Sequence, residues 1–278
     1  MVNIANGVFV CSLQDFIVSH PQYKQDLKNI KDLENYHVLF VPKNVQLDSF
    51  VDLKNFICEN RLPKNIIIIL EKHAALKLCA DESFTPLRFY LHESSSLYCF
   101  LSLFGSDSFE NELHLFLLGR NAKAIVRGVY VADNMQSMSL KTYQVHMAQD
   151  ASSEVVINGV ALENACVSYR GNIFVAQKAS RTKALQGNKN IILGKRALVD
   201  SRPNMEILNN NVQCKHGCAV GVLDENQLFY LQTRGLDLNK AKRLIVKGLF
   251  DNLMHDLGDL KQEKCKIRQL MVLLDGAL

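Results

Sequence analysis

The chain has 278 residues, 48% of them hydrophobic and 22% charged, which is enough for one large globular domain with an appendage or for two modest domains. Its net charge of +4 is small and mixed in sign, so we expect no nucleic-acid partner. No stretch approaches the roughly 18 apolar residues that a membrane span needs, and we expect no membrane association. The eight cysteines are scattered, without a CxxC pair, and the N-terminus lacks a signal-peptide pattern, which predicts reduced thiols and a cytoplasmic location.

The first 44 residues combine short elements of both kinds. Residues 8–10 and 37–41 have the composition of strands, and residues 13–18 and 25–33 have the apolar spacing of helices. We therefore assign residues 1–44 to a mixed α/β N-terminal segment.

The sequence changes character over residues 45–223, where short β-type runs follow one another between turn residues. Several runs alternate as a strand with one buried face does, and Leu113, Leu115 and Leu117 share one such face. A series of short strands is compatible with a sandwich, a barrel or a β-helix. No crisp repeat is visible, which argues against a regular hexapeptide solenoid.

Residues 224–278 have helical periodicity, and we assign them to a C-terminal helical domain. Asp224 is a candidate N-cap of a first helix that would end at Gly235, and Asp237 is a candidate cap of a second helix. A third helix is predicted at residues 260–274. Amphipathic helices at a chain end can dock another protein.

Motifs of the common enzyme classes are absent from the sequence. We find no P-loop, no GxGxxG, no HExxH and no GxSxG. We therefore expect a non-enzymatic protein that does not itself bind a nucleotide.

One cluster of residues suggests metal chemistry. Cys214, His216 and Cys218 alternate, so on a strand their side chains share one face. Thiolate and imidazole groups suit iron, zinc or copper. Three valines fall on the same face, namely Val212, Val220 and Val222. The spacing alone therefore leaves two interpretations, an apolar core face that holds two thiols and a histidine, or a ligand set that a partner must complete.

Two blocks of the sequence resemble the SufB/SufD family of iron–sulfur cluster assembly proteins. The first covers residues 169–207, and its matching residues are Gly171, Gln177, Lys178, Thr182, Gln186, Asn188, Asn190, Ala197, Pro203, Glu206 and Ile207. The second covers residues 210–250, and its matching residues are Cys214, His216, Gly217, Gly221, Leu223, Asp224, Leu228, Phe229, Tyr230, Arg234, Gly235, Ala241 and Gly248. The Cys-x-His-Gly form at residues 214–217 resembles the SufD branch.

The resemblance implies a mainly β protein, a right-handed parallel β-helix followed by C-terminal α-helices. It also implies two partners. One is a SufB-like paralogue that forms a heterodimer with this chain, unless the chain forms a homodimer, and the other is a SufC-like ABC ATPase. Such a complex builds nascent iron–sulfur clusters and delivers them to recipients. On this basis, Cys214 and His216 are candidate ligands of a transient iron or cluster at a subunit interface. The implied ATPase contact region contains Arg234, Gly235, Ala241, Leu244 and Gly248.

Departures from the family pattern keep other functions open. Met138 and Leu140 stand where the family often has polar residues, and Cys218 replaces a usual alanine. The N-terminal helical region of longer members is mostly missing, as in a minimal or truncated form. A structural subunit without ligand function is one alternative. A β-helix carbohydrate-active enzyme is another, although no motif supports it.

Overall fold

The computed structural model describes residues 2–5, 8–30, 35–60, 65–84, 86–104 and 108–254. Its strands are β1 (Val2–Ala5), β2 (Val8–Ser12), β3 (His37–Val41), β4 (Gln46–Asp52), β5 (Ile66–Leu70), β6 (Ala75–Asp81), β7 (Leu87–Leu91), β8 (Ser96–Leu103), β9 (Phe109–Leu117), β10 (Lys123–Ala132), β11 (Ser137–His146), β12 (Ser152–Ala161), β13 (Cys166–Val175), β14 (Lys183–Ile192), β15 (Leu198–Ile207) and β16 (Gln213–Gly221). Its α-helices are α1 (Leu13–Ser19), α2 (Leu53–Asn60), α3 (Glu225–Thr233) and α4 (Leu238–Met254), and a 3-10 turn covers Pro21–Tyr23.

The strands form two parallel sheets that wind as a β-helix. From β3 onward, odd-numbered strands enter a nine-stranded sheet and even-numbered strands a seven-stranded sheet, so each coil adds one strand to each. The pairing is parallel throughout, except that β2 pairs antiparallel with both β1 and β3. The mainly β architecture with C-terminal helices is confirmed. The right-handed sense of the winding and the three-part division of the chain stay predictions.

Coils of unequal length explain why the sequence shows no crisp repeat. Ala75 pairs with Ser96 in the seven-stranded sheet, whereas Cys166 pairs with Leu198 in the nine-stranded sheet. The number of residues in one turn of the β-helix therefore changes along the chain. The parallel strands stay in register, apart from an irregularity between Leu47 and Phe50 in β4, because the other insertions lie in the turns.

The interior of the β-helix changes from apolar to polar along its axis. Leu113, Leu115 and Leu117 are fully buried on one face of β9, as their alternation predicts. Polar residues are buried further along the chain, namely Thr142, Gln144, His146, Ser153, Thr182, Gln186, Asn188 and Asn190. The last coils thus enclose polar groups that must find hydrogen-bond partners inside the protein.

Most of these interior groups have hydrogen-bond partners inside the β-helix. The Thr142 and Tyr169 hydroxyls lie 2.9 Å apart, and the His146 Nε2 atom lies 2.7 Å from the Ser153 hydroxyl. Ser153 in turn donates to the Gln144 side-chain carbonyl at 2.6 Å. Such pairing compensates for the loss of water around buried polar groups.

Stacked turns and ion pairs stabilise one corner between the two sheets. Asp150 and Arg181 both adopt positive φ angles, of 61° and 58°. The Asp150 carboxylate accepts hydrogen bonds from Arg120 at 2.8 Å and from Arg181 at 2.5 and 2.7 Å. One carboxylate thereby ties three successive coils together along this corner.

The two ends of the β-helix differ. At the N-terminal end, β1 and β2 run antiparallel, and α1 packs over the sheet with an aromatic cluster in which Phe16 and His20 stack at 4.6 Å. At the other end, β15 and β16 form the last strands of the two sheets, and within the described ranges no further strand pairs with either. We call this end, bounded by β15 and β16, the open end.

The helices partly follow the sequence predictions. Asp224 caps α3 by accepting from the Asn226 backbone N–H at 2.8 Å, Gly235 has a φ of 89°, and Asp237 caps α4 by accepting from the Lys240 N–H. No helix was predicted over α2, although Phe56 and Ile57 pack against the core.

Two other predicted helices do not appear among the described residues. Turns replace the helix expected at 25–33 as far as residue 29, and the remainder falls largely on residues 31–34, outside the described part. The helix predicted at 260–274 also lies outside the described residues. None of the described helices is both long enough and apolar enough to span a membrane.

Candidate functional site

The residues singled out in the sequence lie on the last strand, β16. Its pairing with β14 places Cys214 beside Ala184, His216 beside Gln186 and Cys218 beside Asn188. The β14 residues of these pairs are buried inside the β-helix. Because paired residues in a parallel sheet face the same side, the β16 residues continue these inward-facing columns to the open end.

Exposure distinguishes the β16 residues from their neighbours on β14. His216 and Cys218 are exposed, and Cys214 is half-buried. Val220, on the same face, and Val222, which directly follows the strand, are also exposed. The structure therefore does not place His216 in the core of the isolated chain. Its column of inward-facing residues ends exposed at the open end.

The Cys214 thiol is the least exposed of the three groups. Burial raises the pKa of this thiol, and a hydrogen bond from the Ala184 backbone N–H partly offsets the increase. Metal ligation requires the thiolate, so proton loss must accompany it. The N–H of Ala184 is already placed to stabilise that anion.

A network of polar side chains lies beneath these three residues. The Asn188 side-chain carbonyl accepts from the Ser201 hydroxyl and from the Asn190 amide, both at 2.6 Å. Tyr130 donates to Asn190 at 2.5 Å, and the Cys218 thiol lies 3.7 Å from the Ser201 carbonyl oxygen. The open end thus has an ordered hydrogen-bonded floor.

Gln186 belongs to the same layer but lacks such bonds. It is 1% exposed, and both polar atoms of its side chain are without a hydrogen-bond partner in the described structure. From the sequence, Gln186 and Asn188 were predicted only to match the family, and Ser201 was not singled out. The alternation of Gln186, Asn188 and Asn190 was the signal that could have placed all three on one buried face.

The three residues of β16 do not make a complete metal site. Among the residues that the structure describes, no group of three or more His, Cys, Asp or Glu side chains is arranged to hold a metal ion. The chemistry nevertheless fits iron or an iron–sulfur species, because thiolate and imidazole are both ligands of such centres. The described residues therefore supply only an incomplete ligand set.

The second predicted surface lies on the C-terminal helices. Arg234, Gly235, Leu244 and Gly248 are exposed, whereas Ala241 is fully buried and supports α4 from inside. A groove of about 470 Å³ runs between the helices, lined by Asn226, Gln227, Tyr230, Leu231, Leu244 and Ile245. The opposite side of α4 packs on the seven-stranded sheet.

Comparison with known proteins identifies the family. The family model described as SUF system FeS cluster assembly, SufBD core domain, matches residues 62–249. The iron–sulfur cluster assembly protein SufD of Escherichia coli is 27% identical over 175 residues, which is 62% of this chain and 41% of that protein. SufB of Bacillus subtilis is 28% identical over 141 residues, 51% of this chain and 30% of that protein.

A SufBD family protein of Mycobacterium leprae is 32% identical over 149 residues, 50% of this chain and 38% of that protein. The matched region is thus less than half the length of each of these relatives. Relatives of both the SufB and the SufD type match, so the matches do not assign the chain to either branch of the family. Because the family model covers well over half of the sequence, the chain belongs to the SufB/SufD family of the SUF iron–sulfur cluster assembly system.

Proposed function

We propose that the chain is a SufD-like, non-catalytic subunit of an iron–sulfur cluster assembly scaffold. In this proposal a SufB-like paralogue binds at the open end and a SufC-like ATPase binds at α3 and α4. The observation that carries the proposal is the position of Cys214, His216 and Cys218. They lie above buried, inward-facing residues of β14, yet no described strand covers them.

The open end has the properties of a protein interface. The edges of β15 and β16 offer backbone N–H and C=O groups of the kind that pair with another strand. Large apolar side chains are exposed on the same coils, including Leu198, Leu208, Val220 and Val222. Exposed apolar groups of this kind mark interaction sites.

The incomplete ligand set supports the same partner. A nascent cluster must be released to its recipient, so ligands divided between two subunits suit a transient site. Cys214 and His216 would supply ligands from this side, and the paralogue would supply the others. The cluster is then the cargo of the complex, and this chain holds it without itself hydrolysing a nucleotide.

The proposal is tested with His216→Ala in the complex co-expressed with the paralogue and the ATPase. We expect normal assembly in size-exclusion chromatography and loss of bound iron and sulfide, because an exposed side chain contributes little to folding. His73→Asn is the matched control, since His73 is also exposed but lies in a turn far from β16.

The main alternative is a structural subunit without ligand function. It predicts that iron and sulfide remain at the wild-type level in His216→Ala and Cys214→Ser complexes. Failure of the three proteins to co-purify would instead refute the partner assignment.

A further inference from the structure

Gln186 is an energetic anomaly of the interior. Its side chain is 1% exposed, and its Nε2 and Oε1 atoms have no hydrogen-bond partner in the described part of the chain. An unsatisfied buried polar group costs roughly 1–3 kcal/mol. Leucine has a similar size and would avoid that cost, so stability of the isolated chain does not account for glutamine here.

Neighbouring residues show that this region can satisfy buried amides. Asn188 and Asn190 face the same interior from the same strand, and both have several hydrogen bonds. Among the buried amides of β14, the lack of partners is therefore specific to Gln186.

A second position is adapted to the Gln186 side chain. Gly171 lies opposite it on β13, and a Cβ atom at this position would come within 2.0 Å of the Gln186 Nε2 atom. Any larger residue at 171 would displace the amide. The absence of a Cβ atom at Gly171 thus leaves the space that the Gln186 amide occupies inside the lumen.

The amide lies in the layer next to the candidate site. Gln186 pairs in register with His216, and Cys214 and Cys218 occupy the flanking inward positions of the same strand. Adjacent strands are about 4.8 Å apart, so a ligand held by β16 side chains inside the open end would lie within one layer of Gln186.

We propose that the Gln186 side-chain amide donates a hydrogen bond to an anionic sulfur atom bound at the open end, a role that rests on the function proposed above. Sulfide and thiolate sulfurs accept N–H donors, and such bonds tune and stabilise iron–sulfur centres. Gln186 is then a positioning residue of the site, and its missing partner is the cargo itself.

Three variants test this role in the complex with the paralogue and the ATPase. Gln186→Leu removes the amide, and Gly171→Ala keeps the amide but displaces it. Gln144→Leu is the matched control, because Gln144 is also a buried glutamine with an unpaired Nε2 atom but lies on β11, away from β16. The probes are ferrous iron and sodium sulfide, titrated anaerobically.

We expect Gln186→Leu and Gly171→Ala to weaken iron and sulfide uptake by roughly 10- to 100-fold, the usual effect of losing an outer hydrogen bond to a metal site. Gln186→Leu should not lower the melting temperature of the free chain. In resonance Raman spectra, the Fe–S stretching bands of the wild type should shift in D₂O, and this shift should be lost in Gln186→Leu. Gln144→Leu should lower stability and leave uptake and spectra unchanged.

The outcomes separate the two proposals. If the Gln186→Leu complex takes up iron and sulfide as the wild type does and keeps its D₂O shift, the role of Gln186 is overturned and the proposed function is not. A wild-type complex that takes up neither iron nor sulfide refutes the proposed function, and the role of Gln186 with it.

Discussion

The Arg181 guanidinium binds both carboxylate oxygens of Asp150, which lies on the preceding turn of the β-helix. Arg120, from the turn before that, binds the same carboxylate, so a single aspartate links three turns. Hydrogen bonds from Arg181 and then Arg120 lower the pKa of Asp150 to about 2.

This pairing predicts an acid-dependent contribution to stability. The ordinary pKa of aspartate is 3.8, so the unfolded chain takes up the proton at a higher pH than the folded one. The contribution of Asp150 is complete above about pH 4 and is lost as the pH falls towards 2. We expect Asp150→Asn to lower the melting temperature slightly at pH 7, with the difference from wild type disappearing near pH 2.

Asparagine keeps the positive φ angle accessible at position 150, so the substitution tests the charge and not the backbone. Asp48→Asn is the control, because Asp48 is exposed and forms no ion pair among the described residues. An equal effect at pH 7 and pH 2 would show that the carboxylate charge does not matter.

Burial of His146 leads us to expect a second pH dependence of folding stability, at higher pH than that of Asp150. Burial lowers the pKa of this imidazole to about 4, whereas the unfolded value is 6.5. Between these values the unfolded state binds a proton that the folded state does not, so stability falls as the pH decreases from 6.5 to 4. The maximum loss is roughly 3 kcal/mol, from 1.36 kcal/mol for each pKa unit.

His146→Leu should remove this component of the pH dependence, as measured by urea unfolding at a series of pH values. The Ser153 hydroxyl keeps its bond to Gln144 in the variant, so the fold is expected to persist. A wild-type-like slope between pH 6.5 and 4 in His146→Leu would assign the effect to another group.

Exposed apolar side chains on α3 and α4 predict where the ATPase binds. Phe229 on α3 is 69% exposed, and Leu244 on α4 is 49% exposed beside the groove. We expect the double variant Phe229→Ser/Leu244→Ser to weaken ATPase binding roughly tenfold or more, since exposed aromatic and apolar anchors dominate interfaces. Pull-down and calorimetric titration with the ATPase measure this effect.

Val18→Ser is the matched control, because Val18 is 82% exposed on α1 at the other end of the protein. Deleting residues 236–278 is a poorer experiment than point variants. Val246, Leu249 and Phe250 of α4 cover apolar side chains of the seven-stranded sheet, and their removal would expose that surface. Undiminished binding by the double variant would place the contact elsewhere.

Much of the fold could be predicted because its signals are local. Alternating leucines predicted the buried face of β9, and Asp224, Gly235 and Asp237 predicted the helix ends. The short helix α2 was missed although Leu53, Phe56 and Ile57 have the i, i+3, i+4 spacing of a helical face, because eight residues make only about two turns and lie between strand-like runs.

The candidate site could be predicted only in part. Alternation shows that Cys214, His216 and Cys218 share a face, but it does not show whether another layer covers that face. The exposure of His216 and the unpaired amide of Gln186 depend on which strands form the last coil of the β-helix. Both properties arise from contacts between distant segments, which sequence spacing does not report.

The contrast between the two ends has a consequence for a chain made in excess of its partner. At the N-terminal end Phe56 and Ile57 of α2 pack against the interior core, whereas at the open end β15 and β16 could each template the addition of another strand. Arg202 and Lys215, exposed on these strands, are charges of the kind that oppose stacking of identical copies. These charges reduce strand addition but leave the edges unpaired, so a lone subunit is expected to be more prone to aggregation and clearance than a covered one, which would couple its lifetime in the cell to the supply of the protein that covers this end.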